Sequence, residues 1–403
     1  MVKGIESMAK VEDTESKKLK SLGFTRDEST VDESTVKWHL KEALHINNLL
    51  ILTGAGTSII DDDSSGKPLK QIYEALKKDA DYKKVYDAVK ATYPIVEDVS
   101  KNTNLEEVLT QLSFLIESSH ISKDVNVSLL ENLQAEILKF IKNNCKLTFS
   151  DKFAHRNFIR KILAARKPSL PRLKVFTLNY DTLFEQASAQ SIVVIDGFSF
   201  TQPRTFKGTN FDLDIVLRSQ MRQHEEENFS KNVMHLYKLH GSIDWEYKDG
   251  SVIQSFEHLQ HGKGSMIYPG VQKFQESYTM PFFEMIGRFQ VATREKDTVL
   301  IVIGYSFGDE HINRIIDEAL NSNLGLRVYV FSPSSADESS EDASEYLKQL
   351  RNQAKNKKLN NLFLVSSTFQ ELTDLTPDHM NLQIGQEVEN NVQQEDKNES
   401  APF

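Results

Sequence analysis

Short, mostly apolar runs recur along the chain, and each ends in a polar or glycine-rich turn. Runs this short do not make free-standing helices and are typical of strands buried on both faces of a parallel sheet. They lie at 49–52, 173–178, 192–195, 236–239, 299–303, 326–331 and 362–365. Apolar residues at helical spacing, such as Ile312, Ile315, Ile316 and Leu320, fall between them. This alternation predicts an α/β fold with a doubly wound parallel sheet.

A long stretch between the first two strands is different. From about 69 to 165 the pattern is helical, and Thr103 with Glu106 makes a candidate capping box. The apolar stripes of this stretch contain Leu105, Val108, Leu109, Leu112, Leu115 and Ile116, and then Leu130, Leu133, Ile137, Phe140 and Ile141. Stripes of this width are what packed helices need, so we interpret them as core. The stretch is predicted to be a helical insertion subdomain.

The two ends of the chain contain few apolar residues. Residues 1–35 include a tandem repeat, 27–31 followed by 32–36, and residues 378–403 are rich in Asn, Gln and Glu. Such segments bury too little apolar surface to offset chain entropy. We therefore expect a flexible N-terminal arm over 1–35, one main domain over 36–377 and a disordered tail over 378–403.

Charge and cysteine content exclude several classes of function. The net charge is −10, so we expect no direct binding of nucleic acid. Cys145 is the single cysteine, which rules out an intrachain disulfide and a cysteine-based zinc site. We expect no secretory leader, because the first residues contain no apolar core followed by a cleavage site, and no apolar run is long enough to span a bilayer. The expectation is a cytoplasmic protein without a metal and without membrane attachment.

The turn after the first strand carries the first chemical signal. Gly54-Ala55-Gly56-Thr57-Ser58 follows the apolar run directly. Glycines let the chain turn sharply and approach a ligand, and a following helix would point its amide hydrogens at an anion. The alternative is an ordinary tight turn, because a short glycine motif is a weak signal. Ile59 stands where a dinucleotide-binding loop has its third glycine. A P-loop fits worse, because Pro68 follows Gly66-Lys67 where a P-loop has the Ser or Thr that holds magnesium.

Polar residues also follow three of the later strands: Asn179 with Asp181, His240, and Ser306. Carboxyl ends of parallel strands meet at one edge of a sheet, where ligands bind. Taken singly, Asn179 and Asp181 could be helix caps, His240 a structural histidine and Ser306 a turn residue. Together they predict a single polar site.

These motifs together resemble those of the sirtuin family. The segment 54–58 is similar to the family's first nucleotide-binding motif, and 177–181 is similar to its Thr-x-Asn-x-Asp motif. His240-Gly241 resembles its His-Gly pair, and Gly304-Tyr305-Ser306 its later Gly-x-Ser loop. The resemblance covers about 48–66 and 172–332. It implies a Rossmann-like, sirtuin-like fold.

The resemblance also implies that NAD is the ligand, bound as a substrate. Gly54, Ala55, Gly56 and Ser58 would then lie near the phosphates, Ser306 near the adenosine half, and Thr177 and Gly304 would complete the NAD-binding set. Asn179 and His240 would act at the nicotinamide ribose, where bond breaking builds positive charge. An amide can position water or the ribose hydroxyls, and a histidine can take a proton from either. Asp181 is expected to orient the asparagine or the sugar.

Two departures from the deacylating sirtuins matter. Their zinc module needs four cysteines, and this chain has one. Their aspartate-phenylalanine-arginine segment after the first motif is also missing, because residues 64–69 of that region read Ser-Ser-Gly-Lys-Pro-Leu. The chain looks more like the sirtuin-like NAD hydrolases of bacterial antiphage defence. Such a subunit acts alone or assembles with a HerA-type ATPase, and we expect a homo-oligomer. The resemblance thus implies an NAD hydrolase that depletes cellular NAD.

Two other functions stay open at this point. A non-catalytic module that binds NAD or ADP-ribose and regulates a partner protein would use the same motifs. Protein deacylation is the third candidate, and the missing cysteines argue against it.

Overall fold

The structure is a computed structural model. It describes residues 17–24, 29–92, 105, 108–109, 112, 114–116, 127–217, 228–255, 263–266, 281–340, 343–356 and 361–378.

The elements within these residues alternate between strands and helices. The strands are β1 (Lys18–Leu22), β2 (Thr30–Asp32), β3 (Asn48–Thr53), β4 (Leu173–Thr177), β5 (Val193–Ile195), β6 (Arg204–Thr205), β7 (Val233–Lys238), β8 (Gly241–Lys248), β9 (Ser251–Gln254), β10 (Lys263–Met266), β11 (Thr298–Ile303), β12 (Leu326–Ser332) and β13 (Leu362–Ser366). The helices are α1 (Glu33–His45), α2 (Leu69–Leu76), α3 (Ala80–Thr92), α4 (Val127–Cys145), α5 (His155–Ala165), α6 (Leu183–Ser188), α7 (Phe282–Arg294), α8 (Glu310–Ser322), α9 (Glu345–Lys355) and α10 (Phe369–Leu375). Two short 3₁₀ helices span Ala55–Ser58 and Gly208–Asp212.

The main sheet has the strand order β2-β1-β13-β12-β11-β3-β4-β7-β5. All neighbouring strands from β13 to β5 are parallel, and β1 and β2 add an antiparallel edge. The predicted doubly wound parallel sheet is therefore confirmed. From β3 the chain continues to β4 on one side and later returns to β11 on the other. That reversal makes the β3/β11 boundary the switch point of the sheet.

The two faces of the sheet are both covered by helices. Along β3, Leu50 and Leu52 pack into the cluster on one face, while Leu49 and Ile51 pack into the cluster on the other. Helices α7, α8 and α9 cover the first face, and α1, α5 and α10 cover the second. Burial on both faces explains why this strand is a continuous apolar run rather than an alternating one.

The insertion between β3 and β4 has a core of its own. Helices α2, α3 and α4 contribute to a third apolar cluster, together with Leu105, Val108, Leu109 and Leu112. The predicted capping box at Thr103 and Glu106 lies outside the described residues. Helix α5, at the end of the predicted insertion, packs instead on the main sheet through Phe158 and Ile162. The separate helical core therefore ends with α4.

Part of the N-terminal segment is ordered, so the prediction of a flexible arm is wrong for 18–22 and 30–32. Strand β1 pairs with β13, and β2 pairs with β1. Leu19, Leu22 and Val31 are buried by this pairing. A few well-placed apolar residues on a ready-made sheet edge are enough, although the composition of the segment is polar. The predicted disordered tail lies outside the described residues apart from residue 378.

A second, smaller sheet has the order β10-β8-β9-β6, with β6 before β7 in the chain and the other three strands after it. Its pairs β10–β8, β8–β9 and β9–β6 are antiparallel, and Trp245 on β8 is buried against the main core. The sequence analysis did not predict this sheet. In the part of the chain that the structure describes, no helix combines the length and the apolar character needed to cross a membrane.

Candidate functional site

The predicted site residues lie at the carboxyl edge of the main sheet. Strands β11, β3, β4 and β7 are consecutive neighbours, and their ends lead into Gly304, Gly54, Leu178 and Leu239. The predicted convergence of these turns is therefore what the strand order produces. At roughly 4.8 Å per strand, the four ends span about 14 Å of the edge.

The two glycine-containing turns pack directly against each other. The Gly56 amide donates to the Gly304 carbonyl at 2.9 Å, and the Gly54 amide donates to the Ile303 carbonyl at 3.0 Å. A Cβ on Gly56 would lie 2.7 Å from Gly304 Cα, and a Cβ on Gly304 would lie 2.7 Å from Gly56 Cα. These glycines are thus required by the approach of one turn to the other. Gly54 is buried beneath Gly304 and Tyr305, whereas Ala55 is exposed.

The helix expected directly after this turn is not an α-helix. Ala55–Ser58 forms a 3₁₀ helix of 4 residues, and α2 begins only at Leu69. Gly66 closes the intervening loop, because its amide donates to the Ser58 carbonyl at 2.8 Å. A single 3₁₀ turn carries little of the dipole that a full helix offers to an anion. The prediction that a helix dipole after this turn would contribute to phosphate binding is therefore wrong.

A buried hydrogen-bond network joins the ends of β3 and β4. Asn179 Nδ2 donates to Thr57 Oγ1 at 3.1 Å and to Ser58 Oγ at 3.0 Å. Ser58 Oγ donates in turn to Asp181 Oδ2 at 2.7 Å, and Thr57 Oγ1 donates to the Gly54 carbonyl at 2.9 Å. Each hydroxyl donates once and accepts once, so the donor directions are fixed. The network uses both amide hydrogens of Asn179 and leaves the side-chain oxygen outside it.

The side chains of this network are nearly inaccessible to solvent: Ser58, Asn179 and Asp181 are 4%, 8% and 7% exposed. Thr177, also buried, holds the start of the turn because its Oγ1 accepts from the Asn179 amide at 3.1 Å. Asp181 has a capping role as well, since its Oδ1 accepts from the Leu183 amide at 3.1 Å. A role at the start of the helix therefore explains the contact of Asp181 Oδ1. It does not explain the bond between Asp181 Oδ2 and Ser58.

A buried ion pair supports the same turn from beneath. Lys238, 3% exposed, donates to the Asp181 carbonyl and lies 3.1 Å from Glu185 Oε1. Burial raises the pKa of Glu185 to about 7, and the charge of Lys238 works against that rise. The lysine thus fixes the main chain that presents Asn179 and Asp181.

His240 lies at the end of β7 and reaches across the edge. Its Nε2 is 2.9 Å from Oδ2 of Asp309, a residue in the loop after β11. The two side chains are 12% and 6% exposed. The His240 ring is also 6.3 Å from the ring of Tyr180, which stands between Asn179 and Asp181 in the chain. Because β3 and β4 lie between β7 and β11, the His240–Asp309 contact spans the ends of both.

Two other groups near the network are held uncharged. Burial raises the pKa of the Cys145 thiol to about 12, and the charge of Asp181 adds to that effect. Burial lowers the pKa of His155 to about 4, and neither ring nitrogen of this histidine has a hydrogen-bond partner. His155 packs instead among the rings of Phe153, Phe184 and Phe369. A protonated thiol and a neutral imidazole in such surroundings serve packing.

The predicted residues therefore fall into four groups. Ser58, Thr177, Asn179 and Asp181 form one bonded unit, and Gly54, Gly56 and Gly304 form the contact between turns. Ala55 and Ser306 are exposed at the rim. His240 stands beside Tyr180 and is tied to the rim through Asp309. Among the described residues, no group of three or more histidine, cysteine, aspartate or glutamate side chains is placed to hold a metal ion.

The sequence analysis missed Thr57, Lys238 and Asp309. Thr57 lies inside the quoted glycine motif, and its hydroxyl could have been considered with that of Ser58. Asp309 immediately precedes a helix with a strong apolar stripe, so its capping role was readable from the sequence. Its bond to His240, 69 residues away, has no local signal.

Comparison with known proteins agrees with part of the resemblance. A family model described as a SIR2-like domain matches residues 173–355, a little under half of the chain. This match begins at β4 and ends with α9, so it includes the Asn179 turn, His240 and the Gly304 turn and excludes the β3 turn and the insertion. A solved structure titled as the structural basis for the mechanism and regulation of Sir2 enzymes is similar at 11% identity with a TM-score of 0.36; the similarity covers 81% of this chain and 99% of that one. A search of curated proteins gave no match.

Proposed function

We propose that the carboxyl edge of the main sheet binds NAD and hydrolyses its nicotinamide–ribose bond, giving ADP-ribose and nicotinamide. The SIR2-like domain match over 173–355 supports NAD-dependent, sirtuin-type chemistry. The observation that carries the proposal is the buried network of Ser58, Asn179 and Asp181 beside His240. Buried polar groups are costly unless they are paired, and this network fixes the orientation of an amide whose oxygen takes no part in it.

In the proposed reaction, Asn179 supplies the positioning group. Cleavage leaves positive charge on the ribose carbon, so a nearby amide oxygen stabilises it and can hold the attacking water or a ribose hydroxyl. The oxygen of Asn179 suits this role because Thr57 and Ser58 hold the amide hydrogens. Ser58 in turn is oriented by Asp181. Asp181 thus acts on the asparagine through the serine.

His240 is the proposed base. It takes a proton from the attacking water, the water oxygen bonds to the ribose carbon, and the electrons of the broken bond leave with nicotinamide. Ala55 is proposed to meet the phosphates with its main chain, and Ser306 to meet the adenosine half. The amides of Gly56 and Gly304 already donate to the Gly304 and Phe331 carbonyls, so these two glycines shape the turns. Gly54 contributes by keeping the two turns close.

The direct test measures nicotinamide release from NAD by the wild type and by Asn179→Ala and His240→Ala. Each substitution is expected to lower turnover by roughly 10²-fold or more with folding retained. Matched controls are Asn361→Ala, where an asparagine bonds the Leu326 carbonyl at the opposite edge of the sheet, and His45→Ala at the exposed end of α1. Full activity in either site variant removes that residue from the mechanism. A wild type that leaves NAD intact with its partner and trigger supplied refutes the proposal.

The same preparation separates hydrolysis from nucleotide sensing. A non-catalytic module predicts that NAD or ADP-ribose raises the unfolding temperature of the wild type while no nicotinamide appears. The hydrolase predicts product. Deacylation is disfavoured because one cysteine cannot build a four-cysteine zinc module.

The biological setting is proposed from the resemblance to sirtuin-like NAD hydrolases of bacterial defence. We propose that the protein acts in the cytoplasm as a homo-oligomer, alone or with a HerA-type ATPase, and depletes NAD during phage infection. Bacteria that express the wild type are expected to lose NAD and restrict phage on infection, whereas cells with Asn179→Ala are not. Light scattering of the chain with and without a HerA-type ATPase tests the assembly. Phage restriction that persists in Asn179→Ala cells would contradict the defence role assigned to NAD depletion.

A further inference from the structure

We propose that Asp309 is a positioning residue that fixes the ring orientation and the proton position of His240 for NAD hydrolysis. This inference rests on the proposed function and adds a residue to it. The contact between His240 Nε2 and Asp309 Oδ2 is 2.9 Å long and nearly buried. It joins the ends of two strands that are three positions apart in the sheet. An incidental surface ion pair is neither nearly buried nor a link between two separated strands.

Asp309 is itself held on several sides. Its Oδ1 accepts from the His311 amide at 3.0 Å and so caps α8. Its own amide donates to the Tyr305 hydroxyl at 3.1 Å, and that hydroxyl lies 3.0 Å from Asn313 Oδ1. Asn313 also holds the Phe307 carbonyl of the same loop at 2.9 Å. The carboxylate therefore has one orientation, with Oδ1 on the helix and Oδ2 on the histidine.

This arrangement selects one form of the neutral imidazole. A carboxylate oxygen can only accept, so the proton lies on Nε2 and the lone pair on Nδ1. When Nδ1 takes the proton of the attacking water, the carboxylate stabilises the imidazolium that forms. The amide end of α8 keeps the negative charge of Asp309 favourable throughout. Tyr180, on the other side, contributes an aromatic ring to the surroundings of His240.

The competing explanation is that Asp309 only caps α8. Substitution by asparagine separates the two roles, because asparagine caps a helix as well as aspartate does. Its Oδ1 would stay on the His311 amide, and its NH₂ group would then face His240. An NH₂ group donates, so Nε2 has to accept and the proton moves to Nδ1. Asp309→Asn thus keeps the cap and reverses the tautomer.

The experiment compares full-length wild type, Asp309→Asn and Asp309→Ser, which keeps a capping hydroxyl but does not reach His240. Ser344→Ala, which removes the side-chain cap of α9, is the control for lost capping. The kinetic readout is kcat and KM for NAD. The spectroscopic readout is the ¹⁵N shift of each ring nitrogen in ¹⁵N-histidine-labelled protein, with His240 assigned among the 11 histidines through His240→Gln.

We expect Asp309→Asn and Asp309→Ser to lower kcat by roughly 10²- to 10⁴-fold, with KM within about threefold, while Ser344→Ala is unchanged. We also expect the ring of His240 to carry its proton on Nε2 in the wild type and on Nδ1 in Asp309→Asn. Unchanged ¹⁵N shifts in the variant, or wild-type kcat in both variants, overturn the proposal. A wild type without NAD turnover refutes the proposed function instead, and the ¹⁵N shifts still decide whether Asp309 fixes the ring.

Discussion

The contact between the two glycine turns makes a quantitative prediction about stability. Gly304 has φ of +59°, and a Cβ there would lie 2.7 Å from main-chain atoms of Gly56 and Thr57. A left-handed residue with a Cβ costs about 1–2 kcal/mol. Forcing an extra carbon between rigid main-chain segments costs about 1–3 kcal/mol more. Gly304→Ala is therefore expected to lower the free energy of unfolding by about 2–5 kcal/mol.

Three other glycines isolate the conformational and the steric contribution and supply a control without either. Gly250 has φ of +79° with no heavy atom within 4 Å of an added Cβ, so Gly250→Ala carries only the conformational cost of about 1–2 kcal/mol. Gly287 lies in α7 with equally open space, so Gly287→Ala should stabilise by about 0.5–1 kcal/mol. Gly56→Ala has only the steric cost, about 1–3 kcal/mol. Urea denaturation of the four variants without NAD measures all four values.

The double variant Gly56→Ala/Gly304→Ala completes the test. Both added carbons compete for the same gap, so once one has moved the turns apart the second costs less. We expect the double variant to lose about 1 kcal/mol less than the sum of the two single losses. A Gly304→Ala variant no less stable than Gly250→Ala, together with additive losses in the double variant, would refute the close packing of the turns.

Three further predictions concern buried charged and titratable groups. The pKa of Glu185 is raised from 4.5 to about 7, so between these pH values the native state binds more protons than the unfolded chain. The free energy of unfolding therefore falls as pH rises through this range. Glu185→Gln should flatten this fall in urea titrations between pH 4.5 and 8, and an unchanged slope would contradict the assignment. The pKa of His155 is lowered from 6.5 to about 4, so between these pH values the unfolded chain binds more protons than the native state. Stability is therefore lost as pH falls below 6.5. His155→Phe should reduce that loss between pH 6.5 and 4, and equal acid sensitivity of the variant and the wild type would contradict this prediction. Arg166 donates to three main-chain carbonyls at the end of α1 and in the loop before β3, and to the Pro171 carbonyl before β4. Arg166→Lys should therefore cost about 3 kcal/mol in thermal or urea unfolding, whereas a loss under about 1 kcal/mol would show that these segments hold without it.

The main sheet was predictable because burial on both faces leaves a strong mark in the sequence. A strand such as β3 has no exposed side after its first residue, so its central positions, 49–52, are all apolar. A turn follows where the strand ends. The expectation that all these strands are parallel also placed the glycine turn, Asn179 and His240 at one edge of the sheet. What the pattern cannot provide is the pairing of weak strands. Strand β1 alternates lysine and serine with leucine, and only its partner β13 makes it a strand.

The second sheet escaped prediction for a related reason. Strands β8 and β9 are half-buried hairpin strands whose buried positions include the polar residues Ser242 and Gln254, and their large apolar anchor is Trp245. A short alternating segment with charged residues has little hydrophobic signal by itself. Its stability comes from packing on a core formed by distant parts of the chain. Tertiary context decided this region, and local propensity did not.

At the site, too, the sequence does not show which distant side chains meet. The structure does show how a capping role and a functional role of one aspartate can be separated. Asp181 and Asp309 each precede a helix, and the Oδ1 of each accepts a hydrogen bond from a main-chain amide at the start of that helix. Capping explains that oxygen completely. Capping does not explain the second oxygen, Oδ2. Oδ2 of Asp181 accepts from Ser58, and Oδ2 of Asp309 contacts His240. Since a cap needs one acceptor and asparagine supplies one, aspartate is required at these two positions only if the second oxygen must accept as well. Replacing each aspartate by asparagine therefore tests function at constant fold, and loss of turnover in both would trace the requirement to the Oδ2 contacts.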